Sequence, residues 1–164
     1  MKQRRPVTPE SALIKLETLC ARSEHCTGEL LQKLRNWGIT PADSDRILKS
    51  LRDNRFVDDR RFARAFVRDR LEYSGYGRRC IAMALAQKRV APDVIKEAMA
   101  EGIDDKTYAS RLQQLLHAKA SRMEEVQSWE SRNKLYRWAI GRGFESDVTV
   151  AALKKALAQL KDEE

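Results

Sequence analysis

The residues able to do chemistry in this 164-residue chain are few and scattered. His25 and His117 are its two histidines, far apart in sequence. Cys20, Cys26 and Cys80 give an odd number of thiols with no paired framework, which fits a reducing compartment. Cys20 and Cys26 beside His25 do not have the spacing of a zinc site, whose compact ligand pairs stand about two to four residues apart. Cys20 and Cys80 fall on apolar helix faces and are expected in the core. Asp58-Asp59 could be read as an acid pair for proton transfer. At a predicted helix start, two carboxylates more simply offset the positive end of the helix dipole, by about 0.3–1 kcal/mol each. Gly75-Tyr76-Gly77 has no Lys-Ser/Thr after it and no strand before it, so it is not a phosphate loop; its glycines end one helix and admit a sharp turn. No nucleophile–base pair converges, so neither an enzyme, a metal nor a cofactor is expected.

Positive charge is the stronger signal. The chain carries 32 Lys and Arg against 24 Asp and Glu, net +8. The window 60–89 alone holds 9 basic and 2 acidic residues. Arg61, Arg64 and Arg68 are spaced three and four apart, as one stripe on a helix face opposite Phe62, Phe66 and Val67. Arg60 is adjacent, and Arg78, Arg79, Lys88 and Arg89 come from the next helix. Arginine forks bind carboxylate and phosphate through two bonds at once, so these eight residues form a candidate contact surface for an acidic protein groove, for DNA phosphates, or for both. The competing reading is a solvated surface neutralised locally by Asp69 or Glu72. Tyr73 and Tyr76 could stack on bases, but packing at a junction between helices is the simpler role. Trp37, Trp129 and Trp138 stand at helical spacings and are expected in the core.

These residues must be carried by helices. Leu (17) and Ala (19) are abundant, whereas Gly (7), Pro (4) and the β-branched residues are too few for a sandwich or barrel. No apolar run approaches the ~20 residues of a membrane span. The basic start Met1 to Pro6 lacks the apolar stretch of a secretory signal, so a cytoplasmic protein is expected. Thr8-Pro9-Glu10 and Thr40-Pro41-Ala42-Asp43 each read as a cap, a first-turn proline and an acid. Gly38 occupies the slot just past a helix end, and Gly102 closes a later helix. Ser146-Asp147 caps a last helix carrying Val148, Ala152, Leu153 and Leu157.

The pattern repeats at offsets of about 51 and 54 residues. Leu30 aligns with Ile81 and Leu135, Leu34 with Leu85 and Ala139, Ile39 with Val90 and Phe144, and Leu48 with Met99 and Leu153. Repeats of this length imply stacked units, each burying a face against its neighbour. The expected fold is all-α: an elongated array of three tandem three-helix repeats, at 12–57, 58–105 and 106–160, after a tail at 1–11.

Three blocks then resemble the bacterial RecX recombination regulators. Arg22-Ser23-Glu24-His25-Cys26-Thr27-Gly28-Glu29-Leu30 with Lys33-Leu34 and Gly38-Ile39 is similar to that family's first repeat. Phe56-Val57-Asp58-Asp59-Arg60-Arg61-Phe62-Ala63, Phe66-Val67-Arg68 and Gly75-Tyr76-Gly77 with Ile81 look like its second. Gly141-Arg142-Gly143-Phe144 with Asp147-Val148 resembles its third. The chain departs from the family at Cys26, where serine is usual in a capping box with Glu29, and at Trp138-Ala139, where a larger aliphatic is usual. The resemblance implies a non-enzymatic monomer that binds the RecA filament and inhibits its recombinase, ATPase and coprotease activities, modulating DNA repair, homologous recombination and the SOS response. DNA, single- or double-stranded, is a possible second partner. The alternative is a sequence-independent DNA-binding helical protein. A base-reading helix is poorly supported, because the helix at 41–54 opens on acids and the basic helix from Arg78 buries Ile81 and Leu85.

Overall fold

The computed structural model describes residues 5–163. Residues 1–4 of the expected tail, and with them most of the segment read as lacking a signal, lie outside the described residues. Among the described residues there are nine α-helices: α1 (Pro9–Arg22), α2 (Thr27–Asn36), α3 (Pro41–Asp53), α4 (Asp59–Glu72), α5 (Arg78–Gln87), α6 (Pro92–Gly102), α7 (Asp105–Ala120), α8 (Trp129–Gly141) and α9 (Ser146–Glu163). The all-helical reading holds, and the caps fall close to where the residues placed them. The Thr8 hydroxyl accepts from the Ser11 amide (3.2 Å), and the Ser11 hydroxyl accepts from the Thr8 amide (3.1 Å), closing a capping box. Thr40 receives the Asp43 amide, Asp104 the Thr107 amide and Ser128 the Ser131 amide. At α9 the cap falls one residue early: the Thr149 amide bonds to the Glu145 carbonyl, and Ser146 is the first helical residue.

The contacts divide the chain into two compact units, Met1–Ala63 with Leu85–Ile95 and Arg64–Ala84 with Lys96–Glu164, so that α4, α5 and α6 are shared between them. In the first unit α1 and α2 pack on α3. Ala12, Leu16, Leu30, Leu34, Ile47, Leu51 and Val57 form its centre, with Cys20, Trp37 and Phe56 partly buried at its margin. In the second unit α7 and α8 pack on α9. The Tyr108 ring lies 5.2 Å from that of Phe144 at its heart.

The internal register is real for the second helix of each repeat. Leu30, Ile81 and Leu135 are all buried, as are Leu34, Leu85 and Ala139, and Ile39, Val90 and Phe144. The fourth alignment slips by one residue. Leu48 is buried, but Met99 and Leu153 are only half-buried, and the equivalent inward positions are Ile47, Ala98 and Ala152.

Several side chains expected inside are not. Trp129 is 73% exposed at the first position of α8, and Tyr73 is 81% exposed at the end of α4. Trp37 and Trp138 are half-buried beneath Lys15 and Lys119, and Tyr76 packs under Arg142, whose guanidinium also lies over Trp138. Cys20 and Cys80 are half-buried; the fully buried thiol is Cys26. Burial pushes the thiols of Cys20 and Cys26 above their ordinary value.

Candidate partner interface

The second helix that carries part of the basic stretch 60–89 takes part in a contact that occurs once in each unit: the start of one second helix sits on the end of the next. Helix N-termini carry unpaired N–H groups and partial positive charge, and C-terminal turns carry unpaired carbonyls, so the two ends are complementary. In the first unit the start of α2 meets the last turn of α5. The Cys26 thiol donates to the Lys88 carbonyl (3.6 Å), and Gly28 lies so close that a Cβ on it would meet the Lys88 carbonyl carbon and Arg89 Cβ at 3.1 Å. In the second unit the start of α5 meets the turn after α8. The amides of Gly77 and Arg79 donate to the carbonyls of Arg142 (2.8 Å) and Gly143 (3.0 Å), and the Cys80 thiol donates to the Gly141 carbonyl (3.7 Å).

The acids at Asp58-Asp59 serve this arrangement. Asp58 accepts the Arg61 amide (3.1 Å) at the start of α4, while Asp59 accepts the Thr27 amide (2.7 Å) at the start of α2. Cys26 does occupy the N-cap of α2, without a side-chain cap of the serine kind. An acid from another helix supplies the missing acceptor.

Among the eight candidate cations, Arg61, Arg78 and Lys88 are committed internally. Arg61 was expected to face outward with Arg64 and Arg68. It is half-buried, pairs with Glu24 (2.7 Å) and donates to the Arg55 and Phe56 carbonyls (3.3–3.5 Å). Arg78 lies over the Tyr108 ring (4.1 Å), pairs with Asp105 (2.5 Å) and Glu145 (3.5 Å), and its amide donates to the Tyr108 hydroxyl (3.0 Å). Burial pushes that phenol well above its usual value, so it stays protonated. Lys88 pairs with Glu29 at 2.6 Å. Arg60, Arg64, Arg68, Arg79 and Arg89 are exposed; Arg68 has a long contact to Asp69 (3.5 Å). Arg60, Arg61, Lys88 and Arg89 belong to the first unit, and Arg64, Arg68, Arg78 and Arg79 to the second.

Arg89 has a further peculiarity. Each second helix ends in a left-handed residue, after which the next amide bonds back five residues: Ile39 to Leu34, Val90 to Leu85 and Phe144 to Ala139. Repeats one and three place Gly38 (φ 76°) and Gly143 (φ 95°) there, but repeat two places Arg89 (φ 61°). A side chain in this region costs about 1–2 kcal/mol.

The structure also brings together groups that the linear sequence does not advertise. The Ser23 hydroxyl meets His25 Nε2 (2.9 Å), and His25 Nδ1 meets Glu29 Oε2 (2.9 Å), the order of a hydroxyl–imidazole–carboxylate relay. Burial pushes the Glu29 carboxyl up, but hydrogen bonds from Lys88 and His25 outweigh it and hold the group below its ordinary value. Glu29 thereby clamps α2 to the end of α5. Among the described residues no three His, Cys, Asp or Glu side chains gather as metal ligands, and no helix is long and apolar enough to cross a membrane.

The class defined by this geometry is an all-helical protein in which, once in each unit, the start of one helix packs on the end of another. The same fold is seen in the crystal structure of RecX from Lactobacillus salivarius, with a TM-score of 0.77 over 90% of this chain and 96% of that one at 18% identity. Residues 58–99 match the second three-helix domain of RecX, and the chain is a relative of the RecX regulatory proteins. It is 40% identical over 87 residues to the Regulatory protein RecX of Vibrio parahaemolyticus serotype O3:K6, covering 53% of this chain and 56% of that protein. It is 31% identical over 120 residues to that of Clostridium botulinum strain Alaska E43, covering 70% and 55%. The chain thus spans little more than half the length of these curated relatives.

Proposed function

We propose that this chain is a cytoplasmic, non-enzymatic regulator that binds the RecA nucleoprotein filament and inhibits its recombinase, ATPase and coprotease activities, so modulating DNA repair, homologous recombination and the SOS response. The division into repeats at 12–57, 58–105 and 106–160 and the monomeric state belong to the same reading. The observation that carries it is a coincidence of position. The segment matching a RecX domain, 58–99, contains the stretch 60–89 in which 9 cations meet 2 acids. That stretch keeps Arg64, Arg68, Arg79 and Arg89 exposed. Guanidinium groups without strong internal partners are suited to an acidic protein groove or to the phosphates of filament DNA.

The same arginines favour a second reading, sequence-independent binding to DNA alone. Base reading is less well supported: α6, the third helix of the matched domain, turns Asp93, Glu97 and Glu101 outward.

The test is the triple change Arg64→Glu, Arg68→Glu, Arg79→Glu, which lowers the net charge from +8 to +2. Arg61 is left in place because a carboxylate there would face Glu24 and unsettle the fold. Inhibition of DNA-dependent ATP hydrolysis by RecA should fall at least tenfold, which corresponds to ~1.4 kcal/mol of binding. Undiminished inhibition by a variant with the parental circular dichroism and melting would remove this surface from the contact. A DNA-first protein instead loses DNA affinity in step with a flattened salt dependence.

A further inference from the structure

Helix α9 is apolar on two sides. Thr149, Ala152 and Ala156 face inward and are buried. A second side, the exposed Val150 and the half-buried Leu153, lines an open groove of about 510 Å³, with the buried Leu157 at its floor. Val150 is 58% exposed. The remaining wall is cationic. Lys154 and Lys161 on α9 and Arg132 on α8 line the same groove, and no acidic residue does.

Nothing within the described residues neutralises these three charges. Arg132 is instead fixed in place by neutral acceptors, the Gln127 backbone carbonyl (3.1 Å) and side-chain oxygen (3.0 Å), and Gln127 in turn donates to the Leu157 carbonyl (3.3 Å). The nearby carboxylate of Glu163 is engaged by His117 (3.0 Å) and Gln159 (3.1 Å). Two ammonium groups and the aliphatic pair Val150 and Leu153 therefore run along three turns of α9, about 16 Å, beside a pre-set guanidinium on α8.

We propose that this groove is a docking site for an acidic peptide segment of a partner protein, one that lays an aliphatic or aromatic side chain or two on Val150 and Leu153 and its carboxylates against Arg132, Lys154 and Lys161. Charge complementarity selects the occupant. Unpaired cations attract carboxylates or phosphates, and the apolar stripe among them offers a nucleic-acid backbone nothing to bury while it accepts the apolar face of a peptide. The site lies outside 58–99 and does not depend on the arginines of the proposed filament contact, so the two readings fail separately.

The test uses the full chain and fluorescein-labelled 14-residue peptides in fluorescence anisotropy. One set combines Glu and Asp with Leu, Phe or Trp at varied helical and extended spacings. A second replaces the apolar residues by Ser, and a third replaces the acids by Lys. Saturable binding is expected in the first set alone. It should weaken at least tenfold in Lys154→Glu/Lys161→Glu and in Val150→Asp, both of which alter exposed side chains and should keep the parental circular dichroism and melting. The proposal is overturned if no peptide of the first set saturates, if the serine set binds equally well, or if both variants bind as the parent does. It is overturned too if a single-stranded oligonucleotide binds with the same dependence on Lys154, Lys161 and Val150. Self-association in sedimentation velocity that Val150→Asp abolishes would assign the groove to a second copy of the chain and likewise overturn it.

Discussion

Replacing Gly77 by alanine tests whether the contact between helix ends holds the second unit together. A Cβ on Gly77 would fall 2.5 Å from the Gly143 carbonyl oxygen and still closer to the Gly143 carbonyl carbon and the Phe144 amide. All three are backbone atoms of a turn that also presents Phe144, a fully buried side chain, to the core. Nothing flexible can give way, so the start of α5 must lift off the turn. The lift removes the bonds from the Gly77 amide to Arg142 and from the Arg79 amide to Gly143. Each is worth ~1 kcal/mol net, and forcing a methyl group into a packed contact adds ~1–3 kcal/mol. The expected loss is about 3–5 kcal/mol, or roughly 6–20 °C in melting temperature for a chain of this size. Gly141→Ala, one turn away, has the opposite sign. No atom lies within 4 Å of its added methyl group, and alanine in place of a helical glycine gains ~0.5–1 kcal/mol. Thermal and urea unfolding followed by circular dichroism measure both. If Gly77→Ala melts within a degree or two of the parent, the contact is not a structural joint and the account given of it is wrong.

Arg89→Gly should raise stability by ~0.5–1 kcal/mol, because relief of the left-handed strain exceeds the extra backbone freedom glycine brings to the unfolded chain; a lower urea midpoint would show that the arginine side chain contributes more to the fold than its backbone takes away. Thr149 is fully buried and its hydroxyl has no partner, so Thr149→Val, which keeps the shape, should stabilise by ~1 kcal/mol in the same assay. Glu29 is held below its ordinary value of 4.5. Its contribution is therefore complete above that pH and is lost as pH falls through the lowered value. Parent and Glu29→Gln should differ in melting temperature at pH 7 and converge towards pH 3; a gap that stays constant across that range would refute the assignment.

The helices were legible because their signals are local. Thr8-Pro9, Thr40-Pro41 and Gly38 act within one turn, and the buried positions of Leu30, Ile81 and Leu135 follow from a single periodicity. The candidate interface was less legible because its charges are settled over distance. Arg61, Arg78 and Lys88 find Glu24, Asp105 and Glu29 between 27 and 59 residues away, and helical spacing says nothing about such pairs. Trp129 misled for a related reason: it stands at a helical spacing, but as the first residue of α8 it sits where the helix has not yet reached its packing face. The capping of α2 by Asp59 left one trace, Cys26, a residue unable to cap well, where the family usually has serine. A weak local cap is compatible with folding when another helix brings the acceptor.

The joint between helix ends also sets an order on synthesis. As the nascent chain leaves the ribosome, α2 emerges with its first amides unsatisfied. Asp59 reaches one of them only after 32 further residues beyond Thr27, and the Lys88 carbonyl that receives the Cys26 thiol comes 62 residues after that cysteine. The first three helices can collapse around Leu16 and Leu34 as soon as they appear, but they stay unlatched until the end of α5 has been translated, and α5 in turn waits for the turn after α8. The start of α2 and the start of α5 are thus each completed by a later part of the chain. A stalled or truncated product that stops inside α5 would present chaperones and proteases with a first repeat already collapsed yet still open at one helix end.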